Sequence, residues 1–202
     1  MPKNILLGFM LLVLLTACAT QTPMPASPVQ NQESWDNRQA SLAQLTHWQA
    51  QGALAIQTTK GTDSMQFDWQ LQSQNNYSLR FIGPVGTGYG TLKTTPGQST
   101  YLAPKGKVYT DRNAQALLTQ VTGWQLPVDD LYYWARGLPA PATTANLQFD
   151  ANHSHLSGLQ QDGFTVTFER YSGVGSVDLP TKLVIQNDSV KIKIVVTRWQ
   201  LN

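Results

Sequence analysis

The 202-residue chain sets 14 Lys and Arg against 12 Asp and Glu, and charged residues make up only 13% of it against 41% hydrophobic. A near balance with no basic stripe excludes a nucleic-acid surface, and a single cysteine excludes a disulfide framework or a cysteine-built metal centre. Six tryptophans beside abundant Thr, Gln, Ser and Gly lean towards β structure.

Lys3 opens a short basic start, Ile5 to Leu15 is almost wholly apolar, and Leu15-Thr16-Ala17-Cys18 closes it. An apolar run of about 11 residues is too short for a bilayer core, which takes about 20 in helical form, so residues 1–17 read as a signal peptide. Small residues ahead of a cysteine form a lipobox, which makes Cys18 the expected site of lipid attachment and the mature amino terminus. In the sorting rule of Gram-negative envelopes an aspartate beside that cysteine retains a lipoprotein at the inner membrane. Ala19 there points to the outer one. Residues 18–33 are rich in Pro, Thr, Gln and Ser without apolar period and read as a tether, leaving 34–202 as one domain.

Trp35, Leu42, Leu45 and Trp48 recur near helical spacing and predict a first helix, ended by Ala50-Gln51-Gly52. Strands then follow one another: Ala53 to Thr58, Met65 to Leu71, Tyr77 to Ile82, Tyr89 to Thr94, Thr100 to Ala103 and a short Val108 to Thr110. Lys60-Gly61, Gln74-Asn75-Asn76 and Pro96-Gly97 are the turns between them. In the second strand Met65, Phe67, Trp69 and Leu71 share one face, and Gln66, Asp68 and Gln70 the other. Asp111 is the expected N-cap of a helix through Ala114, Leu117, Leu118 and Val121, closed by Gly123. A shorter third helix follows, with Asp129 as cap and Val128 and Tyr133 as a hydrophobic staple, stopped by Gly137, Pro139 and Pro141. Asn146 to Asp150, His155 to Gln160, Phe164 to Arg170, Leu183 to Gln186 and Val190 to Trp199 are again strands. About eleven strands joined by short turns, with about three helices and no βαβ rhythm, predict a curled antiparallel sheet with helices against its apolar side.

Chemistry-bearing patterns are few. Gly86-Thr87-Gly88-Tyr89-Gly90 lacks the helix N-terminus that a phosphate cradle needs, and His153 with His155 lacks a third ligand nearby and reads as a solvated loop pair. Asp129-Asp130 is better explained by helix capping than by acid–base work, and no G-x-S-x-G elbow is found. These readings point away from an enzyme, a metal site or a cofactor. The unexplained feature is Tyr77 to Leu92, where two strands flank a turn at Gly83-Pro84 whose next residue is the apolar Val85, followed by Gly86.

Gly83-Pro84-Val85-Gly86 between two strands, Leu126-Pro127 with Trp134 and Gly137-Leu138-Pro139, the Tyr171 and Leu179-Pro180 segment and the closing Trp199-Gln200-Leu201 together resemble the LolB family of outer-membrane lipoprotein receptors. The resemblance runs from about Trp48 to the C-terminus. It implies an unclosed antiparallel β-barrel covered by helices over a hydrophobic cavity, and a monomer that accepts acylated lipoproteins from the periplasmic carrier LolA and passes them into the outer membrane. It further implies that Val85, where the family usually carries leucine, protrudes and takes part in that delivery. Periodicity places Phe67, Trp69, Leu79, Phe81, Leu118, Leu131, Trp134, Phe164, Val166, Ile192 and Ile194 among the lining residues. Two other readings of the same residues stay open: an anchored interaction lipoprotein with a solid core, and a binder of small lipids.

Overall fold

The computed structural model describes residues 35–84 and 88–201. Period-2 alternation becomes eleven strands: β1 (Trp48–Thr58), β2 (Gly61–Ser73), β3 (Asn76–Ile82), β4 (Gly88–Thr95), β5 (Gln98–Leu102), β6 (Val108–Asp111), β7 (Asn146–Phe149), β8 (Leu156–Gln161), β9 (Phe164–Val174), β10 (Val177–Gln186) and β11 (Val190–Leu201). Among the described residues three α-helices accompany them: α1 (Trp35–Ala43), α2 (Ala114–Thr122) and α3 (Val128–Trp134). None of the described helices is long and apolar enough to cross a membrane.

The strands form one sheet in the order β6-β5-β4-β3-β2-β1-β11-β10-β9-β8-β7, with every neighbouring pair antiparallel. Two meanders, β1 to β6 and β7 to β11, are therefore joined where the first strand meets the last. β6 and β7 stand at the two free edges and do not pair, so the barrel is unclosed. The chain between those edges supplies α2, which packs on β4, β5 and β6, and α3, which lies over the sheet's apolar face. Met65, Phe67, Trp69 and Leu71 all turn to that face and are buried, as are Leu79, Phe81, Ile192 and Ile194. Each such side chain withdrawn from water contributes about 1.5–3 kcal/mol, which is what holds a one-layer sheet against its short helices.

Bulges curl the sheet. The register of β1 on β11 slips between Gln51 and Gly52, and a Cβ on Gly52 would stand 1.9 Å from the carbonyl oxygen of Val195. Only glycine lets the two central strands approach so closely.

Three local expectations are corrected. α1 ends at Ala43, and Ala50-Gln51-Gly52 does not stop a helix but lies inside β1. Trp48 is apolar at a spacing that suits both periods, and its cross-strand partners Leu71 and Leu201 decide for the strand. The N-cap of α2 is Asn113, whose side chain accepts from the amide of Ala116 at 2.7 Å. β6 runs to Asp111, whose carboxylate accepts from the Asn113 amide one step earlier. Asp129 does not cap α3 either: the helix starts at Val128 after Pro127, and Asp129 and Asp130 occupy its first turn, where negative charge meets the positive end of the helix. With Val128 inside the helix, the staple to Tyr133 does not form. The expected close of α2 does occur at Gly123, in the left-handed conformation at φ 77°.

Candidate functional site

Under α3, where β1, β2 and β3 face β10 and β11, the packed side chains leave an interior space. It is lined by Ala50, Leu54, Phe67, Trp69, Leu79, Phe81, Leu126, Leu131, Ala135, Leu183, Ile194, Val196 and Trp199, an entirely apolar set. The space between their atoms amounts to about 410 Å³ when its open mouth is counted, but the part that admits the centre of a water-sized sphere is only about 20 Å³. That is room for one water, whereas pockets for ligands of moderate size are about 300 Å³ or more. The described state is thus a closed apolar seam, and anything longer than a water must push its walls apart.

Of the residues placed by periodicity, Phe67, Trp69, Leu79, Phe81, Leu131 and Ile194 face this space. Leu118, Trp134, Val166 and Ile192 are buried elsewhere in the same core, and Phe164 is half-buried with its ring 5.8 Å from that of Trp134. Ala50, Leu54, Leu126, Ala135, Leu183, Val196 and Trp199 line the space without having been expected there. Leu126 and Ala135 flank α3, where no period operates, and the other five lie within β1, β10 and β11, where the period gives the face but not which residues of that face border the space. Gly83 is buried and Pro84 exposed at the end of β3. Val85, Gly86 and Cys18 lie outside the described residues.

The cover over the seam is tied down by polar groups. Trp134 donates its indole N–H to Gln161 Oε1 at 3.0 Å, and Gln161 Nε2 donates to the carbonyls of Ala140 and Thr143 at 2.7 and 2.9 Å. Arg136, buried just past α3, donates from Nη1 to the carbonyls of Leu42 and Leu45 and from Nε to that of Tyr132, all at 3.1 Å. Its guanidinium lies 4.0 Å from the centre of the Tyr132 ring. Burial lowers its pKa, opposed by the two neighbouring tyrosines. On the same helix, burial first and the neighbouring carboxylates of Asp162 and Asp129 next push Asp130 up to about 6.

At the other side of the seam Trp48 and Trp69 meet edge to face with ring centres 4.8 Å apart, and the indole N–H of each is buried without a hydrogen-bond partner. Trp124 and Trp199 are not left so: they donate to Asp63 and to the carbonyl of Pro180.

The His153–His155 pair is not simply solvated. His155 sits among Asp178, at 3.1 Å from Nε2, and Ser154 and Asp150 on its other nitrogen side, while His153 stacks on Phe149. Burial works to raise the Asp150 carboxyl, but bonds from the amides of His155 and Ser154 outweigh it and hold it below its usual range. No group of three or more metal-ligating side chains occurs among the described residues.

An unclosed antiparallel barrel with short helices over an apolar seam has a counterpart of similar fold among solved structures. A LolA superfamily protein from Nitrosomonas europaea superposes with a TM-score of 0.53 over 82% of this chain and 93% of its own, at 9% identity, a likeness of fold alone. The chain belongs to the family described as outer membrane lipoprotein LolB, whose pattern it matches over residues 46–199. The outer-membrane lipoprotein LolB of Coxiella burnetii is 36% identical over 93% of this chain and 89% of its own, and that of Pseudomonas paraeruginosa 34% identical over 99% and 97%.

Proposed function

We propose that this chain is an outer-membrane receptor, anchored through an acylated Cys18, that takes lipoproteins from the periplasmic carrier LolA and passes them into the membrane. Residues 1–17 are the signal peptide and 18–33 the tether to a monomeric domain. Family membership supports the role, and the observation that carries the mechanism is the all-apolar seam between Phe67, Trp69, Leu79, Phe81, Leu131 and Ile194. An acyl chain loses about 0.8 kcal/mol for each CH₂ bared to water, so cargo must move from one apolar shelter to the next. Transfer then follows the order of affinities, makes and breaks no covalent bond, and calls for no catalytic residue or cofactor. Because the seam is closed to anything beyond a water, loading includes displacement of α3 and its tied neighbours. Val85, in the turn opened by Gly83-Pro84 and closed by Gly86, is the residue that touches the bilayer during release.

The decisive experiment incubates the purified protein with cargo-loaded LolA and follows cargo first onto the protein and then into added vesicles. Cargo that stays on LolA refutes the reading. The narrowness of the seam favours one second reading, an anchored lipoprotein with a solid core. Failure of the protein to take up a fluorescent fatty-acid probe would select it.

A further inference from the structure

The sheet end at which β3 finishes departs from an ordinary soluble surface on the neighbouring strands β5 and β6. Among the described residues the large hydrophobic side chains left exposed are Leu102, at 44%, and Val108, at 55%. They are direct cross-strand partners, the last residue of β5 against the first of β6. Their neighbours in register extend the relation: Leu102 pairs with Thr91 of β4, and β4 pairs through Gly88 with Ile82, the last residue of β3. The β5–β6 hairpin and the β3–β4 turn therefore leave the sheet at the same end and on adjacent strands.

The tip of that hairpin is Ala103-Pro104-Lys105-Gly106-Lys107, with Pro104 to Lys107 exposed. It is held in a fixed turn, with Lys105 at φ 68° and Gly106 at φ 85°, and the Ala103 amide bonded to the Lys107 carbonyl at 2.8 Å. Lys107 lies 4.7 Å from the centre of the Tyr109 ring. From Phe81 to Thr110 the chain has three lysines, Lys93, Lys105 and Lys107, and no carboxylate. Two bare aliphatic side chains, a half-buried tyrosine and two lysines at a rigid tip form a surface that water solvates poorly and that phosphate headgroups complement. Lysine stems can lie along the apolar pair while their ammonium groups reach the phosphates.

We infer that the β5–β6 hairpin is a second membrane-docking element, in which Leu102 and Val108 enter the headgroup region of the bilayer and Lys105 and Lys107 bind anionic phospholipid. It holds the β3–β4 turn at the bilayer whether or not cargo is present. The inference rests on the outer-membrane placement proposed above and adds a lipid preference to it. A lipid anchor at Cys18 does not by itself set which side of the domain faces the membrane, and this hairpin fixes which end does so.

The test uses the mature, acylated full-length protein in vesicles of phosphatidylethanolamine and phosphatidylglycerol. Cys18 is the chain's one cysteine and is consumed by the anchor, so Pro104→Cys can carry a polarity-sensitive fluorophore, with Ser176→Cys at the opposite end of the sheet as reference. Expected are a blue shift and quenching by headgroup-level nitroxide lipid at position 104 and neither at 176. Both signals should fall to the reference level in Leu102→Asn/Val108→Asn. They should weaken in Lys105→Gln/Lys107→Gln and in vesicles lacking phosphatidylglycerol. Signals at position 104 equal to the reference, or unchanged in both variants, overturn the inference. So does a loss confined to cargo uptake from LolA in the absence of vesicles, which would make the hairpin a protein-docking surface. Because the readout is contact and not transfer, a protein that docks in this way yet receives no cargo would count against the receptor role alone.

Discussion

Arg136, two residues past the end of α3, donates to the main-chain carbonyl of Leu42 at 3.1 Å, across 94 residues of sequence. The same nitrogen reaches Leu45, so the helix roofing the seam is bound to the end of α1, which itself packs Leu42 on Leu138 and Leu179. Replacing Arg136 by leucine strands buried carbonyls without offering another donor. We expect a loss of about 3 kcal/mol in urea unfolding, together with faster entry of a fluorescent fatty-acid probe as the roof loosens. A variant as stable as the parent would show that the tie holds nothing.

Trp48 and Trp69 predict the opposite sign. Each buries an indole N–H with no acceptor, so Trp48→Phe and Trp69→Phe keep an aromatic ring while removing an unsatisfied donor. For Trp69→Phe the gain of about 1 kcal/mol from removing the orphan competes with the smaller ring's lost packing. Net stability at or above that of the parent in chemical denaturation is the expected outcome for both. A loss of several kcal/mol would mean that these N–H groups are satisfied by the facing aromatic ring.

Asp130 gives a pH dependence. Its carboxyl is raised from 3.8 to about 6 in the folded protein, by burial first and then by Asp162 and Asp129. Below 3.8 both folded and unfolded chains hold the proton and the group contributes nothing. Between there and about 6 only the folded chain holds it, so stability falls as pH rises, and above 6 the penalty is constant. The side chain is partly exposed, which reduces the size of the effect and leaves its sign. Asp130→Asn should raise the melting temperature at neutral pH and flatten its slope between pH 4 and 6.

Val85→Glu places a charge where the proposed mechanism needs hydrocarbon. The fold and uptake of cargo from LolA are expected to survive, because the residues that line the seam are left unchanged, while release into vesicles drops. Normal release from this variant would remove Val85 from the mechanism.

How much of this was legible in advance depends on the range of the interaction. Period-2 alternation in Met65 to Leu71 and in Val190 to Val196 reports a buried face directly, because neighbouring side chains of a strand point to opposite sides. About eleven strands and their antiparallel pairing followed from such runs and short turns, whereas the meeting of β1 with β11 did not. Caps were less legible: Asp111 and Asn113 are both competent, and the length of β6 chose between them. Trp48 fitted a helix until its partners in β2 and β11 were known.

By itself the sequence determined an apolar-faced antiparallel sheet with short helices, and it raised the proposals of an anchor at Cys18 and a membrane contact at Val85. Tertiary structure alone decided which inward side chains pack and which border a space. Phe67 and Trp69 face the seam whereas Val166 and Ile192, equally apolar and equally periodic, meet filled volume. It also decided that Arg136 is buried and that Leu102 and Val108 are bare at the sheet end where β3 finishes. The reason is that periodicity records the direction a side chain points, while filling, burial and neighbourhood depend on what arrives opposite it from a hundred residues away.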